Sequence, residues 1–279
     1  MKERIISPQE YDSFRHYLAE VTGIILGDNK HYLVSSRLTR LMENYELESY
    51  SDLLNVLKQS NNGTIREQII DAMTTNETMW FRDTYPYEML KGVLLPEFAK
   101  KVKDRPLKIW SSACSSGQEP YSISIIVEEF LASNLGSFPK GVQITGTDIS
   151  LAILNYSKDA KYDNSAMNRG ISPERIQRYF IKEDDHCELK PDIKNRVTFK
   201  QLNLQQSYGS LGRFDLIFCR NVLIYFSSEL KTDILTRMAD ILNPDGYLLL
   251  GSSETPTRYT PIYKMIRTPN GVVYQNPSK

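Results

Sequence analysis

Apolar residues follow two different rhythms along this 279-residue chain: a helical one up to about residue 72 and a mixed one from about residue 107. The stretch SPQEYDSFRHYLAEVTG sets Ser7 ahead of Pro8, with Glu10 three residues past the cap and Gly23 at the end, which are the marks of a capped helix. A second helix is predicted from near Asp28, where Val34, Leu38, Leu41 and Tyr45 form one apolar stripe and Lys30, Arg37 and Arg40 line its flank. YSDLLNVLKQS and IREQIIDAMTT continue the helical pattern. Beyond it, short β-rich runs alternate with helical ones. LKIWSSA, VQITGTD, RVTFKQLN, FDLIFCRN and GYLLLGSS read as strands, with the helix EPYSISIIVEEFLAS after the first. That alternation predicts an α/β fold with a parallel sheet and crossover helices. In IYKMIRTPNGVVYQN, Asn270 and Gly271 sit between two alternating runs, a hairpin signal. A polar insert with one helical piece, SPERIQRYF, separates the second strand from the third.

Composition narrows the setting. With 41% hydrophobic residues the chain can bury a full core, and its length allows a large domain with a small partner. The 34 basic and 34 acidic side chains cancel, so no overall field draws the protein to nucleic acid or to an anionic membrane. Cys114, Cys187 and Cys219 are odd in number and lack C-x-x-C spacing, which argues against a disulfide framework or a structural metal and for a reducing compartment. The start MKERIISPQEYDSF has no signal-peptide core, and no uncharged apolar run approaches the roughly 18 residues of a membrane span. A cytoplasmic protein with no membrane insertion is expected.

Candidate chemistry collects where strands run into turns. SSACSSGQEPYS links a strand to a helix N-terminus through a loop with one glycine, Gly117. Such a turn suits a nucleoside ligand without phosphates better than a dinucleotide, although an ordinary strand-to-helix turn would look the same. Asp148, in GTDIS, falls at a strand's carboxyl end, where it could accept from ribose hydroxyls or simply cap the next helix. In QLNL, Asn203 could read an adenine edge with Leu204 on its face. Arg220 and Asn221 interrupt an apolar run from Leu216 to Phe226, so they either line a wet cleft or pair internally. Ahead of all these lies TTNETMWFRD, Thr74 to Asp83, which gathers hydrogen-bonding groups and a cation around two large rings.

In this order, and behind a small helical domain, TTNETMWFRD, ACSSGQEPYS, GTDIS, QLNL and CRNVLIYF resemble the CheR-type chemotaxis receptor methyltransferases over essentially the whole chain. The resemblance implies a Rossmann-like S-adenosylmethionine-dependent methyltransferase sheet with a terminal hairpin, a small antiparallel β insert and an N-terminal all-helical domain. It implies methyl transfer to glutamate carboxylates of chemoreceptor cytoplasmic helices, with S-adenosylhomocysteine as product and no metal. Cofactor contacts then fall on Asn76, Thr78, Arg82, Gln118, Asp148, Asn203, Leu204, Arg220 and Asn221. Arg82 would also orient the incoming glutamate, and Tyr225 would lie near the transferable methyl. Where some members carry two glutamates before Pro-Tyr-Ser, this chain has Gln118 and Glu119, so a neutral amide would replace one carboxylate. His16, His31 and His186 lie outside every motif.

The implied organisation is a receptor-docking helical domain over 1–72, a linker over 73–90 and a methyltransferase domain over 91–279, with the insert at about 165–198. Lys30, Arg37 and Arg40 are the candidate docking face, although residues 1–75 hold 8 basic and 11 acidic side chains, which also fits a merely solvated face. The insert is short and lacks a glycine-rich loop, so no strong tether to a receptor tail peptide is expected. A monomer is expected as well. Rival readings are a regulatory module that binds S-adenosylmethionine without turnover, a methyltransferase of RNA or a small molecule, and, more distantly, a nicotinamide dehydrogenase.

Overall fold

The computed structural model describes residues 6–59 and 63–278. Four helices come first: α1 (Pro8–Thr22), α2 (His31–Asn44), α3 (Tyr50–Lys58) and α4 (Gly63–Met73). The cap read from sequence is present: Ser7 accepts from the Glu10 amide, the Glu10 carboxylate accepts from the Ser7 amide, and left-handed Gly23 ends the helix at φ 77°. Phe14, Leu18, Val34, Leu38, Leu53 and Ile69 are sealed from solvent in a core of their own, each worth roughly 1.5–3 kcal/mol of burial. Tyr45, expected on the buried stripe of α2, lies just past the helix end and is 38% exposed. There the chain leaves the helical spiral, and the periodicity stops predicting a face.

The chain then runs through α5 (Tyr85–Met89), one π-helical turn (Leu90–Leu94) and α6 (Leu95–Lys101) into the sheet. It continues as β1 (Leu107–Ser111), α7 (Gln118–Ser133), β2 (Val142–Asp148) and α8 (Leu151–Asp159). A small three-stranded antiparallel sheet follows, made of β3 (Lys161–Asp163), β4 (Phe180–Lys182) and β5 (His186–Leu189) with β5 central. Around it lie α9 (Asn164–Met167), α10 (Pro173–Tyr179) and α11 (Pro191–Lys194). The main sheet resumes with β6 (Val197–Gln201), β7 (Phe214–Cys219), α12 (Ser228–Ile241), β8 (Leu242–Leu250), β9 (Lys264–Thr268) and β10 (Gly271–Gln275).

Seven strands form the main sheet in the order β6-β2-β1-β7-β8-β10-β9. The first five are parallel, and the β9–β10 hairpin adds to β8 antiparallel. Every residue of β7 is buried, as a central strand covered on both faces requires. Its one carboxylate, Asp215, is held by a two-pronged contact from Arg105 and by the Lys108 amide. Because β1 has β2 on one side and β7 on the other, the chain reverses its winding there, and a crevice opens beyond the carboxyl ends of those strands.

Candidate active site

The crevice is a cleft of about 890 Å³, partly open to solvent, and residues as far apart as Thr22 and Phe226 line it. Its base is the loop after β1. The Ser112 amide donates to the Phe218 carbonyl and the Cys114 amide to the Thr147 carbonyl, both at 2.9 Å, which ties the loop to β7 and β2. Gly117 turns the chain into α7 at φ 89°, and a Cβ there would come within 3.0 Å of Ser157 and the Tyr162 hydroxyl. Glycine is needed there both for its backbone angle and for the lack of space.

The turn sends Gln118 and Glu119 in different directions. Gln118 is 4% exposed and accepts from the Ser116 hydroxyl at 2.7 Å, outside the cleft lining. Glu119 lines the cleft instead, accepting from Ser111 at 2.8 Å and from Arg220 at 2.9 Å. The structure therefore does not bring Gln118 to the cleft with the other expected residues: the first residue of α7 folds back on the loop, and the second, Glu119, faces the crevice.

Asp148 ends β2 and is 7% exposed in the cleft wall. It accepts from the Ser115 amide at 2.9 Å and the Ser150 amide at 3.1 Å. Burial raises its pKa above the ordinary aspartate value, opposed by these backbone donors. Helix α8 is capped by the Ser150 side chain, so the capping alternative for Asp148 fails. Leu204 is buried in the neighbouring wall. Asn203 lines it too, but its amide donates to the Val21 carbonyl at 2.8 Å and accepts from the Gln205 amide at 2.9 Å. Its carboxamide is engaged in joining the helical domain to the sheet, a partner that the reading of an adenine edge did not include.

The far wall is TTNETMWFRD. Asn76, Thr78 and Arg82 line the cleft, while Trp80 and Phe81 are buried behind them. Trp80 packs edge-on against Tyr162 and Phe180 of the insert. Phe81 donates its amide to the Ser122 hydroxyl, and the Arg175 guanidinium covers its ring at 3.9 Å. The backbone is forced here. Phe81, Asp83 and Thr84 on this wall, Ser115 in the basal loop and Asn221 opposite all adopt left-handed φ between 49° and 66°, each at a cost of about 1–3 kcal/mol.

Arg220 closes the opposite side. Its side chain is 1% exposed and forms ion pairs with Asp83 at 2.6 Å and Glu119 at 2.9 Å, with a further bond to the Arg82 carbonyl. Burial would weaken its charge, but Glu119, Tyr87 and Asp83 outweigh it and raise its pKa. Both sequence alternatives hold, since the guanidinium is internally paired and also lines the cleft. Beyond it, Asn221 and Tyr225 line the rim, and the Tyr225 carbonyl accepts from the Ile25 amide at 2.9 Å. Thr22 and Ile24 of the helical domain thereby become part of the wall, a contribution no sequence signal carried. Glu119, by contrast, stood beside its motif neighbour in plain sight.

Of the docking candidates, Lys30 and Arg40 are exposed. Arg37 is not free: it donates to the Met73 and Thr74 carbonyls at 2.9 and 3.1 Å and reaches Thr75 at 3.4 Å. It satisfies the open carbonyls at the end of α4 and holds the linker where it enters the cleft, which corrects its assignment to the docking face.

Residues 76–272 match the family described as CheR methyltransferase, SAM binding domain, and residues 9–74 match the CheR methyltransferase, all-alpha domain. The class is thus the S-adenosylmethionine-dependent methyltransferases. Chemotaxis protein methyltransferase 1 of Pseudomonas aeruginosa is 51% identical over 267 residues, spanning 95% of this chain and 97% of its own. Chemotaxis protein methyltransferase Cher2 of Pseudomonas putida is 49% identical with the same coverage, and the chemotaxis protein methyltransferase of Vibrio parahaemolyticus is 49% identical over 97% of this chain and 98% of its own. The chain belongs to the CheR methyltransferase family. The cleft fits the cofactor chemically: it offers a buried carboxylate, Asp148, as an acceptor for hydroxyls, an apolar wall with Leu204 and Phe226 for a base, and acidic Glu119 for a cationic amine.

Proposed function

We propose that the protein methylates glutamate side chains on the cytoplasmic helices of chemoreceptors, leaving glutamate methyl esters. The observation that carries this reading is Arg82. It lines the cleft and donates only to the Glu77 carbonyl at 3.2 Å, with no carboxylate partner among the described residues. A guanidinium left unpaired at a reaction cleft offers a two-pronged seat to an incoming carboxylate.

Bound S-adenosylmethionine supplies a methyl group on a cationic sulfonium. In this reading Asp148 accepts from the ribose, Leu204 with the backbone at Asn203 flanks the adenine, and Asn76, Thr78 and Glu119 take the amino-acid end. Asn221 lies on the rim beside them, and Arg220 keeps the two walls at their spacing. Arg82 would orient the receptor carboxylate toward the methyl. Tyr225, which lines the cleft, shapes the space around it. Attack by a carboxylate on that methyl would leave the electron pair of the broken carbon–sulfur bond on sulfur, so the two opposite charges would disappear together. A glutamate with a pKa of about 4.3 is already ionised and needs no base. Glu119, one of the carboxylates that line the cleft, already accepts from Ser111 and Arg220.

The helical domain, up to about residue 72, is the receptor-docking part in this proposal, with Lys30 and Arg40 as its free cations. The enzyme acts in the cytoplasm as a monomer. We expect no strong tether of a receptor tail peptide to the insert, and micromolar binding in calorimetry would overturn that.

The test is transfer of a labelled methyl group to a purified chemoreceptor cytoplasmic fragment. Label that base releases as methanol, and that disappears when receptor glutamates are changed to alanine, is the expected result. Binding of S-adenosylhomocysteine without any transfer would sink the glutamate reading.

A further inference from the structure

The loop that carries Asn221 and Tyr225 is held by one carboxylate that belongs to none of the cleft motifs. Glu254, in the turn after β8, accepts from the Asn221 amide at 2.7 Å and the Gly251 amide at 2.8 Å with one oxygen. Its other oxygen accepts from the Val222 and Leu223 amides at 3.1 and 2.9 Å. Four backbone donors therefore converge on a single anion.

Local backbone geometry explains the convergence. Asn221 is left-handed at φ 57°, and Val222 follows at φ −124°, ψ −35°. Opposite-handed neighbours turn successive N–H groups inward to form a concave anion seat. Without an anion, three parallel amides would repel one another and the strained Asn221 would have nothing to hold it. Gly251 is matched to the arrangement: a Cβ there would lie 2.6 Å from the Glu254 carboxylate and 3.0 Å from the Asn221 amide. Glu254 itself does not line the cleft, but Asn221, Val222 and Tyr225, fixed by the seat or following directly from it, do.

We propose that Glu254 is a positioning residue for methyl transfer: an internal anion that fills the seat and sets the loop from Asn221 to Tyr225 against the cleft. It acts through the backbone and touches neither substrate nor cofactor. The proposal rests on the methyltransferase reading of the cleft but not on the identity of the acceptor.

The test uses the full chain with Glu254→Ala and Glu254→Gln. In the ligand-free protein, amide hydrogen exchange at Asn221, Val222 and Leu223 should quicken by about tenfold or more in Glu254→Ala. Formate at 0.1 M, small enough to enter the vacated seat, should restore protection, whereas chloride at equal ionic strength should not. Methyl transfer by Glu254→Ala should fall by about a hundredfold, the scale of a misplaced reaction geometry, and formate should recover at least a tenth of it. Glu254→Gln keeps the shape but brings an amide donor against amide donors, and should fall by about tenfold. Exchange unchanged in both variants, or a loss that formate does not relieve, would overturn the proposal. If Glu254→Ala does not fold, Glu254→Gln decides through exchange and rate, and wild-type values for both would refute it. The exchange readout needs neither acceptor nor cofactor, so failure of the glutamate reading leaves it intact.

Discussion

Arg82 and Arg220 flank one cleft in opposite circumstances. Arg220 is buried and paired twice, a strut between the linker, α7 and the end of β7. Arg82 sits eight residues from the start of its wall in the same ring of side chains, half-buried and with no carboxylate of its own among the described residues. A cation whose partners are built in holds the shape of the cleft, and one without a built-in partner is available to a ligand. Residue type and proximity to the cleft therefore do not reveal a role, but the partner inventory does.

The comparison breaks first if Arg220 proves dispensable. Arg220→Met should cost about 3 kcal/mol, the low end for splitting a buried ion pair because Asp83 keeps some exposure; urea denaturation checks it. Arg82→Ala should leave the unfolding midpoint unchanged and lower turnover tenfold to a hundredfold, the ~1.5–3 kcal/mol of a hydrogen bond to a charged group. Its affinity for S-adenosylhomocysteine should change far less, and equal losses in both would make Arg82 a cofactor ligand instead.

Asp148 gives a pH test. Because burial raises its folded pKa, its ionisation counts against the folded state: its contribution to stability is full below the unfolded value of about 3.9 and is lost as pH rises through the folded pKa. In the proposed reading cofactor binding has the opposite dependence, since there the ribose hydroxyls donate to the ionised carboxylate. Affinity for S-adenosylhomocysteine should fall on acidification from above the ordinary aspartate range, and Asp148→Asn should bind about tenfold more weakly with that pH dependence gone. The smallest effects separate the two arginines of α2. Arg37→Ala should lower stability by about 1 kcal/mol through the open carbonyls at the end of α4. Arg40→Ala should stay within about 0.5 kcal/mol of wild type and raise the receptor KM only at low salt.

Much of the architecture was legible because local chemistry and global fold agree. The Ser7–Glu10 cap, the apolar run Leu216–Cys219 of β7 and the Asn270–Gly271 turn each belong to neighbours in sequence and depend little on anything distant. The site was legible in position, since a strand end marks the ligand edge of an open sheet. Its partner choices were not. Arg37 finds carbonyls 36 residues away and Asn203 a carbonyl 182 residues away, distances over which spacing carries no information. Gln118 and Glu119 differ by one step of a helix whose phase depends on the turn at Gly117. The π-turn in Leu90–Leu94 and the three-residue strands of the insert have too little periodicity to announce themselves.

The cleft takes its walls from Thr22 at one extreme and Phe226 at the other, joined by the bond from the Ile25 amide to the Tyr225 carbonyl. A loop of that span must close before either wall has a counterpart, so the site has high contact order and forms late. During synthesis a ribosome-bound chain would carry a folded helical domain well before it held anything able to retain the methyl donor. Capacity to bind that donor should then report completed folding, and a chain cut before Phe226 should not retain it.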